Sequence, residues 1–141
     1  MEVFVKGVRD GALLGGRATE GSVGYDLRSI DSVSIDPWKR VKIPIGLAVS
    51  MPHGVYGRIS PRSSLALKGI DIGGGVIDQD YRGEISVILI NNSDDAYVVS
   101  PGDKIAQLIF EVVATPKILV VDDGDLDATE RGSGGFGSSG K

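Results

Sequence analysis

The sequence predicts an all-β fold, a sandwich or barrel of jelly-roll type with one short helix and a flexible C-terminal arm. Three observations predict it. Five segments rich in Val, Ile and Tyr are bounded by Gly, Pro, Asn, Asp or Ser, the pattern of short strands between tight turns. No run long enough for a globular helix keeps a clean helical period. From Asp122 onward the chain becomes acidic and then glycine-rich, with little apolar material to pack.

At 141 residues the chain is expected to be one domain, large enough to bury roughly two-thirds of its unfolded surface. Fifteen basic and nineteen acidic side chains give a net charge of −4, which argues against a nucleic-acid or anionic-membrane partner but leaves room for a local anion site. There is no cysteine, hence no disulfide or thiolate metal site, and the single His53 excludes a multi-histidine site within one chain. The opening stretch MEVFVKGVRDGALLGG carries charges where a signal peptide needs an apolar run. No later segment approaches a membrane span, so the expected location is soluble and intracellular, in cytoplasm or nucleus.

Taken in order, the expected strands are Arg40–Met51, Gly54–Ser60, Gly83–Asn91, Asp95–Ser100 and Lys104–Ala114, within a total of five to ten. Between the second and third lies PRSSLALKG, Pro61–Gly69, the one stretch that reads as a helical turn. Pro61 suits a first helical place, where a missing N–H leaves nothing unpaired, and Gly69 suits the end. The core is expected to occupy residues 1–121 and the arm residues 122–141.

Three constellations carry possible chemistry. Gly73, Gly74 and Gly75 run into VIDQDYRGE, so backbone can approach a ligand closely beside Asp78, Asp80, Tyr81 and Arg82; the plain alternative is a polar hairpin turn. Arg62, Ser63 and Ser64 stand beside the free N–H groups of a helical turn, where an anion is held; ordinary serine capping is the alternative. Asp26, in GYDLRS, is either a metal-shell carboxylate or a surface residue. The tail spells G-x-x-x-x-G-K from Gly135 to Lys141, yet it lacks the strand, the helix and the Ser or Thr that make a phosphate-binding loop. By composition alone it is a disordered end.

As a set, GYDL (Gly24–Leu27), PRSSLALKGI (Pro61–Ile70), GGVIDQDYRGE (Gly74–Glu84), PGDKIAQLIFE (Pro101–Glu111) and RGSGGFGSSG (Arg131–Gly140) resemble the five motifs of the homotrimeric dUTP diphosphatase family. Order and approximate spacing both agree over nearly the whole chain. Ser64 stands where many members have glycine, and Arg-Ser-Ser also occurs in the related dCTP deaminases.

The resemblance implies a distorted jelly-roll, or β-clip, sandwich and the hydrolysis of dUTP to dUMP and pyrophosphate. That reaction keeps uracil out of DNA and supplies dUMP for dTMP synthesis. Mg²⁺ would ride on the triphosphate while a water attacks the α-phosphorus. By position, Asp78 would orient and deprotonate that water, as an ionised carboxylate can at neutral pH. Asp26 would hold waters of the Mg²⁺ shell, which suits an ion that dehydrates reluctantly. Arg62, Ser63, Ser64 and Gln107 would contact the α- and β-phosphates.

In the hairpin, Gly75, Ile77 and Tyr81 would select base and sugar. Backbone groups there would pair with uracil N3–H and O4, a pattern cytosine inverts, and Tyr81 would leave no room for a 2′-hydroxyl. In the arm, Phe136 would stack on uracil, Arg131, Ser138 and Ser139 would reach the γ-phosphate, and Gly137 would also bind substrate. The arm would cover a site in a neighbouring subunit, so three chains would build each site of a homotrimer. Two other readings stay open: a dCTP deaminase, including a bifunctional one, and a non-catalytic nucleotide-binding regulator.

Overall fold

The computed structural model describes residues 1–122, 124, 126–138 and 140. Its elements run β1 (Phe4–Gly7), β2 (Tyr25–Arg28), β3 (Val33–Ile35), β4 (Arg40–Pro44), β5 (Leu47–Ser50), β6 (Val55–Ser60), α1 (Ser63–Ala66), β7 (Ile70–Gly73), β8 (Val76–Ile77), β9 (Ser86–Asn91), β10 (Tyr97–Val99) and β11 (Lys104–Val112). This is the expected all-β sandwich of jelly-roll type with one short helix. The eleven strands among the described residues exceed the expected five to ten. Segments as short as Val33–Ile35 and Val76–Ile77 hold too few residues to show an alternating pattern.

The run Arg40–Met51 is two strands, because the chain turns at Gly46 in the left-handed region and the halves enter different sheets. β4 pairs with β9, whereas β5 pairs with β1. Every strand pair is antiparallel. A four-stranded sheet has the order β2-β11-β6-β8, a three-stranded sheet β4-β9-β7, and β1-β5 and β10-β3 form pairs.

Period-two alternation decides what faces inward. In β6, Val55, Gly57 and Ile59 are buried and Tyr56, Arg58 and Ser60 are half-exposed; in β9, Val87, Leu89 and Asn91 are buried. Leu27, Ile59, Ile77 and Leu108 from the larger sheet join Ile43, Ile70, Val87 and Leu89 from the three-stranded one in a single apolar core. Each fully buried Leu or Ile contributes roughly 1.5–3 kcal/mol over leaving it in water.

The helix is shorter than its motif. Arg62 is the N-cap, in extended conformation and without a side-chain cap bond, so Pro61 lies before the helix and not at its first place. Ser63 and Ser64 open the helix, and serine capping is not used. β11 ends at Val112, and Ala114 to Asp122 are exposed. Among the described residues no helix is long and apolar enough to cross a membrane.

Candidate active site

Strand register builds the first cleft. Asp26 on β2 lies opposite Gln107 on β11, and Gln107 lies opposite Ser60 on β6, so the three stand in a row on one face of the sheet. The chain then leaves β6 through Pro61 into α1, which sets Arg62, Ser63 and Ser64 beside that row. The cleft measures about 300 Å³ and is lined by Gly24, Asp26, Arg62, Ser63, Ser64 and Gln107, with Ala18 and Ser22. Gln107 Nε2 donates to the Pro61 carbonyl at 2.9 Å, which holds its amide in place.

Both Asp26 oxygens meet cations: Oδ2 is 3.0 Å from Lys104 Nζ and Oδ1 is 3.5 Å from Arg62 Nε. Arg62 Nη1 also donates to the Lys104 carbonyl at 3.4 Å. Two cations against one carboxylate leave a local positive balance within an acidic chain. The Ser63 and Ser64 N–H groups donate to no acceptor among the described residues, as expected for the first turn of a helix. Tyr97 belongs to the same neighbourhood. Burial raises its hydroxyl pKa, Asp103 adds to the rise and Arg62 opposes it. The set suits a polyanion: a guanidinium, two hydroxyls, an amide and unpaired N–H groups.

A second cleft, also about 300 Å³, is formed by the hairpin that follows β7. Gly75, Val76, Ile77, Asp78 and Tyr81 line it, and Ile59 and Lys42 face them. Its shape depends on Gly75, whose φ of 105° is left-handed and whose carbonyl accepts the Ile59 N–H at 2.7 Å. A Cβ there would stand 2.7 Å from the Ile59 carbonyl oxygen, so only glycine lets the hairpin lie this close to β6. Tyr81 is held by its hydroxyl, which donates to the Glu84 carbonyl at 2.8 Å, and Glu84 is paired with Arg9 at 2.6 Å. The Asp78 side chain is exposed and has no hydrogen-bond or ion partner among the described residues. A free carboxylate over a cleft is available as a proton acceptor.

Among the described residues none lines both clefts. The fold of one chain therefore brings together Asp26, Arg62, Ser63, Ser64 and Gln107, and separately Gly75, Ile77, Asp78 and Tyr81. The described tail residues join neither group. Arg131 Nε donates to Gly134 O at 2.8 Å and Ser138 N to Gly135 O at 3.1 Å, both within the tail. Phe136 is fully exposed, and neither Arg131, Gly137 nor Ser138 lines a cleft. Ser139 lies outside the described residues.

A roomier cleft of about 470 Å³, lined by Met1, Val3, Leu14, Tyr25 and Phe110 among others, contains no acid. Two lysines at the smaller clefts were not singled out from the sequence. Lys104 lies within the PGDKIAQ motif, but its reach to Asp26 follows a register shift between Lys104 and Ala106 that no local pattern shows. Lys42 faces the hairpin only because β4 pairs with β9, opposite Ile88.

Among the described residues no group of three or more Asp, Glu, His or Cys is placed to cage a metal. Asp26 is a lone carboxylate, so the residues present fit a hydrated Mg²⁺ that arrives on a triphosphate and is touched through water.

A family profile described as dUTPase matches residues 13–140. The chain is 49% identical over 137 residues to a deoxyuridine 5′-triphosphate nucleotidohydrolase of Oryza sativa subsp. japonica, covering 96% of this chain and 79% of that protein. Its identity to the enzyme of the same description from Paramecium bursaria Chlorella virus 1 is 45% over 139 residues, covering 98% and 97%. The Staphylococcus bacteriophage 80alpha dUTPase, solved with dUpNHpp, superposes with a TM-score of 0.92 at 27% identity, over 99% of each chain.

Proposed function

The chain belongs to the dUTPase family and hydrolyses dUTP, and on that premise we propose how its residues divide the work. Asp78 is the general base: it orients a water and takes its proton as the water attacks the α-phosphorus, giving dUMP and pyrophosphate. The observation that carries this reading is that Asp78 lines the hairpin cleft, exposed and without a side-chain partner among the described residues, directly after Ile77, which is buried in the core. Arg62, Ser63, Ser64 and Gln107 hold the α- and β-phosphates with fixed donors. Mg²⁺ on the triphosphate supplies charge neutralisation, and Asp26 is the residue that would reach its water shell.

The hairpin reads the nucleoside. Gly75 and Ile77 bring backbone groups to the edge of uracil, and Tyr81, fastened through its hydroxyl, supports the deoxyribose. Cytosine would leave those groups unpaired, a mismatch that discriminates by roughly 10⁴-fold or more.

The separation of the two clefts supports a site shared between copies of the chain. In a homotrimer, the hairpin of one copy would face the phosphate cleft of the next. The arm of residues 122–141, from a further copy, would close over both. Phe136 would stack on the base, Arg131, Ser138 and Ser139 would reach the γ-phosphate, and Gly137 would also bind substrate. An arm whose described residues make their hydrogen bonds internally, with Phe136 in solvent, fits a lid that orders on the ligand. The test is product analysis after incubation with dUTP, dCTP and dTTP and Mg²⁺. Pyrophosphate from dUTP alone is expected; ammonia from dCTP, or pyrophosphate from all three, would overturn the reading.

A further inference from the structure

Gln79 lies between Asp78 and Asp80 but does not line the hairpin cleft. Its side chain reaches away from it. Oε1 accepts the N–H of Gly54 at 2.8 Å, joining the hairpin to the β5–β6 turn across 25 residues of sequence. Gly54 is itself fixed, since its carbonyl accepts the Val113 N–H at 2.9 Å at the end of β11. The Gln79 backbone is held as well: Arg82 Nη1 donates to its carbonyl at 2.6 Å and to that of Tyr81 at 3.1 Å. Tyr81 N donates to Asp78 O at 3.1 Å, which closes the turn. Asp78 is thus a free carboxylate on a peptide whose next residue is fastened by both side chain and backbone.

We propose that Gln79 is a positioning residue for the hydrolysis, acting through its tether to Gly54 to hold the Asp78 carboxylate at the cleft. The inference rests on the reading of Asp78 as general base. A base displaced by about 1 Å costs up to ~10²-fold in rate, so a half-buried bond to a neighbouring turn has catalytic consequences even though it touches no substrate. The tether requires an acceptor at the end of a side chain of glutamine's length; the amide N–H₂ is not used among the described residues.

The full-length protein is compared with Gln79→Leu, which keeps the bulk and removes the acceptor, and with Gln79→Glu, which keeps it. Rates are read as pyrophosphate release from dUTP at pH 8. Exchange of the Gly54 amide with deuterium reads the tether without reference to activity. In Gln79→Leu, kcat should fall about tenfold with KM little changed, and the Gly54 amide should exchange faster. Gln79→Glu should restore most of the kcat. Combined with Asp78→Asn, Gln79→Leu should add no further loss, because misplacing an absent base has no effect. If Gln79→Leu does not fold, Gln79→Asn, one methylene too short to reach, takes its place.

A kcat within twofold of the parent, a loss confined to KM, or a Gln79→Glu variant as impaired as Gln79→Leu would each overturn the proposal. A loss that adds in full to that of Asp78→Asn would overturn it too. Normal turnover in Asp78→Asn alone would overturn the base assignment, independently of the Gly54 exchange rate. An inactive Asp78→Asn beside an unimpaired Gln79→Leu would overturn only the positioning role.

Discussion

Gly24 and Gln107 are in direct contact: a Cβ built on Gly24 would stand 2.0 Å from Gln107 Oε1 and 2.8 Å from its Cδ. Gly24 is buried, and its missing side chain is the space in which the Gln107 amide lies while Nε2 donates to the Pro61 carbonyl. The first prediction follows from that contact. Gly24→Ala must expel the amide, so kcat/KM for dUTP should fall on the order of tenfold through loss of a phosphate-side hydrogen bond, itself about 1–2 kcal/mol. The far end of Gln107 can move, so the melting temperature should change little. Steady-state kinetics beside a thermal melt checks this, and unaltered kinetics would remove Gln107 from the phosphate cleft.

Asp78→Asn should fold and bind dUTP, because the side chains are nearly isosteric, but an amide cannot accept the proton of the water. Turnover should drop by about 10²–10⁴-fold. Binding by calorimetry and turnover by pyrophosphate release separate the two effects. Near-normal turnover would require another base.

Mixing tests the shared site. Asp78→Asn and a variant lacking residues 132–141 should each be inactive alone and regain activity when refolded together. Some mixed trimers would then combine an intact hairpin from one copy with an intact arm from another. Confirmed mixed trimers without recovered activity would place each site within one chain.

Deleting residues 132–141 should leave the melting temperature of the ligand-free protein nearly unchanged, since none of the described residues in that stretch belongs to the apolar core and Phe136 is exposed. Catalysis should collapse. Phe136→Ala should be intermediate, losing about 1–3 kcal/mol of transition-state stabilisation with the stacking surface. Proteolysis after Arg131 should slow with a non-hydrolysable dUTP analogue and Mg²⁺, but not with the dCTP equivalent. Equal cleavage in both cases, with truncated protein still active, would reduce the arm to a passive end.

Asn91 supplies a prediction about stability alone. It is fully buried, and its Nδ2 donates to Ile35 O at 3.0 Å, Asp36 O at 3.3 Å and Asp95 O at 2.8 Å while Oδ1 accepts from Ser93. Asn91→Leu would remove the amide that donates to Ile35 O and accepts from Ser93 N at the junction of β3, β9 and β10, while Asp36 O keeps the Lys39 N–H and Asp95 O keeps the Ser93 hydroxyl, so a destabilisation of roughly 1–3 kcal/mol is expected. Denaturant unfolding should show the loss, with turnover per folded molecule preserved.

The strands legible in the sequence were those long enough to alternate. β6 and β9 declared their inward residues through period two, and β11 through its Ile, Ala and Leu pattern. β3 and β8 could not, having three and two residues. The proposed site was legible only as a set of residue types: a carboxylate among glycines, an Arg-Ser-Ser turn, a lone aromatic in a glycine tail. Motif spacing conveyed their identities without their mutual positions.

By itself the sequence determined the all-β class, and it named the residues proposed to handle a phosphate, a base and a water and a glycine-rich C-terminal stretch with little apolar material to pack. Only the tertiary structure decided that these residues fall into two clefts sharing none of them. It also decided that Asp26 is faced by Lys104 and Arg62, and that Gln79 fastens to Gly54. Local periodicity specifies which face of a strand turns inward. Pairing between segments tens of residues apart depends on which partner completes the core and satisfies the backbone, a collective choice no short window of sequence contains.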